Sequence, residues 1–157
     1  MSQTSHITPE GYQRFSDELN ELWTVERPRV VQEVHDAAAM GDRSENAEYI
    51  YGKRRLREID RRMRYLSTLL DRVSVVDPSK VKSDKIQFGA TVRLEDENQQ
   101  ERSYQLVGID EVDVKRGRIS VASPMGKALL GKKPGDIASV KRPAGELEVE
   151  IIAIEYI

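Results

Sequence analysis

Asp42 and Glu45 stand three residues apart, with Glu48 three further on. Carboxylates in that pattern do one of two things. Asp-x-x-Glu at a helix start is a capping box, in which Asp42 accepts a backbone N–H and Glu45 reaches back. Exposed carboxylates also coordinate a hard cation such as Mg²⁺. Two of them make an incomplete shell, because Mg²⁺ takes further oxygens from substrate phosphates or water. A metal held by Asp42 and Glu45 therefore needs a second molecule to complete its site. Spacing alone leaves both readings open, and they can coexist.

The other chemistry-bearing stretch follows directly. Residues 53–64, KRRLREIDRRMR, hold seven Lys/Arg against Glu58 and Asp60, a net charge of +5. Arg54, Arg57, Arg61 and Arg64 are spaced 3-4-3 and form one stripe of a helix, with Lys53 beside it. Helix geometry sets that stripe nearly opposite the apolar positions Leu56, Ile59, Met63 and Leu66. An ordinary solvated face mixes signs, whereas this stripe has one sign only. A row of guanidinium groups fits a phosphate backbone. Only Tyr51 and Tyr65 accompany it, so phosphate contact is favoured over base stacking. Elsewhere there is no Ser/His/Asp set, no HExxH, no glycine-rich phosphate loop and no zinc spacing. His6 falls in an N-terminal tail expected to be disordered, and His35 is alone on a helix. The chain is not expected to be an enzyme by itself.

Both stretches belong to a helical hairpin. Apolar or small residues recur upstream at Tyr12, Phe15, Leu19, Leu22, Val30, Val34 and Ala37. Downstream they recur at Leu56, Ile59, Met63, Leu66, Leu70 and Val73, the 3-4 spacing of a coiled-coil seam. Thr8-Pro9-Glu10-Gly11 reads as a helix start, with Thr8 as N-cap and Pro9 at the first position. One helix is expected over 9–40, kinked at Pro28, and a second over 44–76. Thirty helical residues make an arm about 45 Å long. Gly41 ends the first helix, and the acidic turn lies at the far tip. Gly52 is a thin spot on the second seam, where the partner helix approaches closely or the helix weakens by about 1 kcal/mol. The first helix is acidic (Asp17, Glu18, Glu21, Glu26, Glu33, Asp36), so the two helices attract each other weakly.

Asp77-Pro78-Ser79-Lys80 breaks the pattern, dividing a hairpin domain, 1–78, from a second domain, 79–157. Residues 80–85 read as a linker. Strands are expected over 87–94, 102–107, 118–122, 137–141 and 147–156, forming a small antiparallel sheet. One short helix interrupts them, with Ser123 as N-cap, Pro124 first, Met125 in its body and Gly131 as its stop. The class is α+β. The 157 residues carry a net charge of -2 and no cysteine, which excludes disulfide and thiol chemistry. No apolar run is long enough for a membrane span, and the first residues lack a signal-peptide core. A cytoplasmic monomer without membrane contact is the expectation.

Gly41-Asp42-Arg43-Ser44-Glu45-Asn46-Ala47-Glu48-Tyr49, followed by the basic run 53–62, resembles the bacterial Gre transcript-cleavage factors. Trp23-x-x-Glu26-Arg27-Pro28 and the arginine-rich second helix are more similar to the GreB branch than to the GreA branch. The resemblance extends to Thr8-x-x-Gly11-Tyr12, to Ser123-Pro124-Met125 with Pro134-Gly135-Asp136, and to Ile154-Glu155-Tyr156. It implies a coiled-coil hairpin followed by an FKBP-like β domain without implied isomerase activity. It implies entry of the hairpin into the secondary channel of RNA polymerase. There Asp42 and Glu45 would help hold a second Mg²⁺ shared with the polymerase, none being bound by the isolated protein. Backtracked nascent RNA would be cut near its 3′ end, with Lys53, Arg54, Arg57, Arg61 and Arg64 attracting the extruded segment. Ser123, Pro124 and Met125 match the segment that docks on the polymerase. A channel-binding regulator that stimulates no cleavage is the alternative function.

Overall fold

A computed structural model describes residues 5–41 and 46–157. They form two compact units: Tyr12–Arg72, and a second that joins the residues up to Gly11 to Val73–Ile157. The unit boundary at Arg72/Val73 precedes the Pro78 turn because the polypeptide becomes a strand as soon as the helix ends.

The helical unit is a hairpin. Helix α1 (Pro9–Glu21) continues through a five-residue π segment, Leu22–Glu26, into α2 (Arg27–Ala38). Thr8 caps α1 as the sequence implies, its hydroxyl oxygen accepting from Gly11 N–H at 3.1 Å. The irregularity expected at Pro28 takes the form of the widened turn ahead of it. Arg27 N–H donates to the Leu22 carbonyl, five residues back. A π turn relieves the missing donor and bulky ring of a proline without ending the helix.

Helix α3 (Ala47–Arg72) is the second arm. Phe15, Val30 and Ala37 are buried on the first arm, and Gly52, Ile59, Leu66 and Leu69 on the second. Leu69 takes the place expected of Leu70, which is half-buried. A straight helix has 3.6 residues per turn and drifts off a strict heptad. Among the described residues three ion pairs join the arms: Arg27–Asp60 at 2.8 Å, Arg55–Glu26 at 3.0 Å, and Arg62–Glu18, whose Nη2–Oε1 distance is 2.9 Å. The second helix stops at Arg72, four residues before the expected end at Val76.

The reason lies in the second unit. Strand β2 (Val73–Val75) pairs in parallel with β1 (Ser5–Ile7), Ser5 opposite Val73 and Ile7 opposite Val75. The segment around His6 is therefore a strand, not the disordered tail expected of it. A five-stranded sheet follows: β3 (Thr91–Asp96), β4 (Glu101–Val107), β5 (Arg118–Ser120), β6 (Ile137–Arg142) and β7 (Gly145–Glu155), in the order β5-β4-β3-β7-β6. It is rich in antiparallel pairs, but β5 runs parallel to β4, so the sheet is mixed. The expected first strand starts late, at Thr91, because residues 87–90 make a turn at Gly89 (φ +88°) against Pro78.

Helix α4 (Pro124–Leu129) has Ser123 as its cap, the hydroxyl accepting from Gly126 N–H at 3.0 Å. Leu129 enters the core with Ile86, Val92, Leu106, Val140 and Ile151, while Leu130 stays exposed. Among the described residues no helix is long and apolar enough to cross a membrane.

Candidate nucleic-acid interface on the hairpin

Helix α3 sorts its cations by face. Arg55 is paired with Glu26 and Glu58, and Arg62 with Glu18. The carboxylates of Glu18 and Glu26 are held below the usual glutamate range, chiefly by the hydrogen bonds from Arg62 and Arg55 respectively. These pairs lie along the junction of the arms. Arg54, Arg57, Arg61 and Arg64 are exposed and take no ion pair among the described residues, as does Lys53. The spacing that predicted one stripe thus corresponds to a physical division. Arginines beside the seam are neutralised by the first arm, and those opposite it are not.

At the end of the hairpin the cap that the described residues show is one the sequence reading did not name. Asn46 caps α3: its Oδ1 accepts from Tyr49 N–H at 3.1 Å, and its Nδ2 donates to the Ala37 carbonyl at 2.7 Å. One side chain therefore both starts the second helix and ties off the first. Asparagine is among the strongest N-cap residues, which was the signal available for it. Asp42 and Glu45, the candidate metal ligands, lie outside the described residues. The capping box proposed for Asp42 and Glu45 therefore also lies outside the described residues. Among the described residues no group of three His, Cys, Asp or Glu could hold a metal.

Ser123, Pro124 and Met125 are brought to a cavity of about 550 Å³ on the sheet unit, lined also by Arg102, Tyr104 and Arg142. Pro124 is exposed and Met125 half-buried. The segment has both a structural task, capping and packing α4, and an accessible surface.

Comparison with known proteins follows the same two units. Residues 5–75 match the family described as "Transcription elongation factor, N-terminal", and residues 80–156 match "Transcription elongation factor, GreA/GreB, C-term". The transcription elongation factor GreB of Yersinia pestis is 50% identical over 99% of this chain and 91% of its own length. That of Pseudomonas aeruginosa is 49% identical over 98% and 91%. Among solved structures, the GreA factor homolog 1 of Thermus thermophilus is 27% identical, covering 98% of this chain and 99% of its own, with a TM-score of 0.45. The two matched segments together span nearly the whole chain, and it belongs to the GreA/GreB family of transcription elongation factors, on the GreB-like side.

Proposed function

We propose that this chain binds RNA polymerase, inserts its hairpin into the secondary channel and stimulates the polymerase's own cleavage of backtracked nascent RNA. It is then a cofactor of the reaction rather than an enzyme. The observation that carries this reading is the face of α3 with exposed, unpaired Arg54, Arg57, Arg61 and Arg64. Asp42 and Glu45 precede that helix in sequence. Family membership supplies transcription elongation as the setting.

Asp42 and Glu45 offer hard carboxylate oxygens, the donor type that Mg²⁺ takes. They would hold a second Mg²⁺ jointly with the polymerase. Such an ion polarises phosphoryl oxygens and helps clamp an in-line displacement. Lys53 and the arginine row attract the phosphates of the extruded RNA and keep it aligned with the tip. Asn46 holds the end of α2 and the start of α3 together. Ser123, Pro124 and Met125 serve as a docking contact for the sheet unit.

The test is transcript cleavage in a stalled, backtracked polymerase complex. The wild-type chain should shorten the RNA. Asp42→Asn and Glu45→Gln should each abolish the stimulation, by a hundredfold or more, in the manner of lost transition-state charge stabilisation, while binding persists. Unchanged cleavage by both variants would refute the metal role of the carboxylates, and no stimulation by the wild-type chain would assign it to non-cleaving occlusion of the channel instead.

A further inference from the structure

The arginine row does not begin with an arginine. Positions 50, 54, 57, 61 and 64 continue one helical stripe, and its first member is Ile50, 45% exposed. Tyr51, beside it, is 67% exposed and precedes Arg54 by one helical turn. The other tyrosine of the basic stretch is engaged: the Arg62 guanidinium lies 5.5 Å from the ring centre of Tyr65. Among the described residues Tyr51 takes no partner for its ring or its hydroxyl. An exposed flat ring and a branched aliphatic thus sit at the end of the cation row that is nearer residues 42–45.

We propose that Tyr51, flanked by Ile50, is a stacking platform for one unpaired RNA base, while Arg54 and Arg57 hold the phosphates next to it. This rests on reading α3 as the RNA-facing helix. Charge complementarity selects the occupant. Four adjacent arginines without an acid in their stripe call for a polyanion, and an apolar ring within such a site meets the one apolar part of a nucleotide, the face of its base. Stacking is tolerant of sequence because every base has such a face. The platform places a defined nucleotide against the second turn of α3 and so sets how far the following nucleotides extend. Sequence alone favoured phosphate contact over stacking because aromatics are few; the exposure of Tyr51 restores a single stacking position.

The full chain is titrated at low salt with a short single-stranded RNA carrying one 2-aminopurine. Wild type and Tyr51→Phe should quench the fluorophore on binding. Tyr51→Ala should lose the quenching and bind roughly tenfold more weakly, the scale of one lost base–aromatic stack. Its salt dependence should be unaltered, since no charge is removed. With an abasic site in place of the 2-aminopurine, wild type and Tyr51→Ala should bind equally. Replacing Arg54, Arg57 and Arg61 together by Ala should instead flatten the salt dependence. Quenching by Tyr51→Ala as strong as wild type overturns the platform. So does absence of quenching by wild type, which would point to a protein surface as the occupant. The readout needs no cleavage, so a chain that stimulates no cleavage yet shows Tyr51-dependent quenching keeps the platform and loses only the metal role.

Discussion

Gly52 of α3 is buried against Val34 of α2. A Cβ built there would lie 2.6 Å from Val34 Cγ2, while the nearest Val34 backbone atom is 3.8 Å away. The obstacle is thus a single methyl. Alanine favours a helix over glycine by about 1 kcal/mol, and overpacking costs about 1–3 kcal/mol. Gly52→Ala should therefore destabilise the protein by about 1 kcal/mol, and should stabilise it in a Val34→Ala background, measured by urea unfolding of the four proteins as a cycle. The same sign in both backgrounds would contradict the packing account. The sequence posed the right question at Gly52, close approach or weak helix, but had no view of Val34 across the seam. Asn46 it passed over: a lone Asn reads as a turn residue until Ala37 offers its carbonyl across the hairpin.

The two arms were legible from their periodicity, and their charges from composition. Less legible was the π segment: Pro28 announces a disturbance without saying that the preceding turn widens. Strands β1 and β2 were illegible, since three residues show no alternation and the partner of Ser5 is Val73. The ion pairs between the arms predict an acid response. Glu18 and Glu26 have pKa values below the ordinary 4.5 because Arg62 and Arg55 bond to their charged forms. A carboxyl depressed on folding binds more protons unfolded, so its contribution is full above pH 4.5 and fades as pH falls through the depressed values. Hairpin helicity followed by circular dichroism should hold from neutrality to about that pH and decline below it. The change should be modest, as these groups are partly exposed and screened by solvent. Glu18→Gln and Glu26→Gln together should flatten that decline; an unchanged acid profile would show that the pairs do not couple to folding.

Across the whole chain, the beginning is held by residues far along it. Glu111 is 2% exposed, and its carboxylate accepts from Thr8 N–H at 3.1 Å, from the Thr8 hydroxyl and from Gly108 N–H at 3.1 Å. Gly11 leaves it room, since a Cβ there would lie 2.1 Å from its Oε1. Glu10 adds an ion pair to Arg118 at 2.8 Å. No pattern of residues hints at this, because an acid in a polar loop reads as solvated and Thr8 is 103 residues away. Removing Glu111 strands buried donors, so Glu111→Ala should cost about 3 kcal/mol. It should also speed amide exchange at Thr8 and Gly108. Unchanged exchange at both would refute the clamp. This clamp secures the capped start of α1, and the central claim concerns Asp42 and Glu45, which follow α2 in the sequence. The direct measurement is RNA cleavage by a backtracked polymerase with wild type, Asp42→Asn and Glu45→Gln at matched occupancy of the complex. The account predicts cleavage with wild type and loss of stimulation with either variant. Equal cleavage with all three would contradict it.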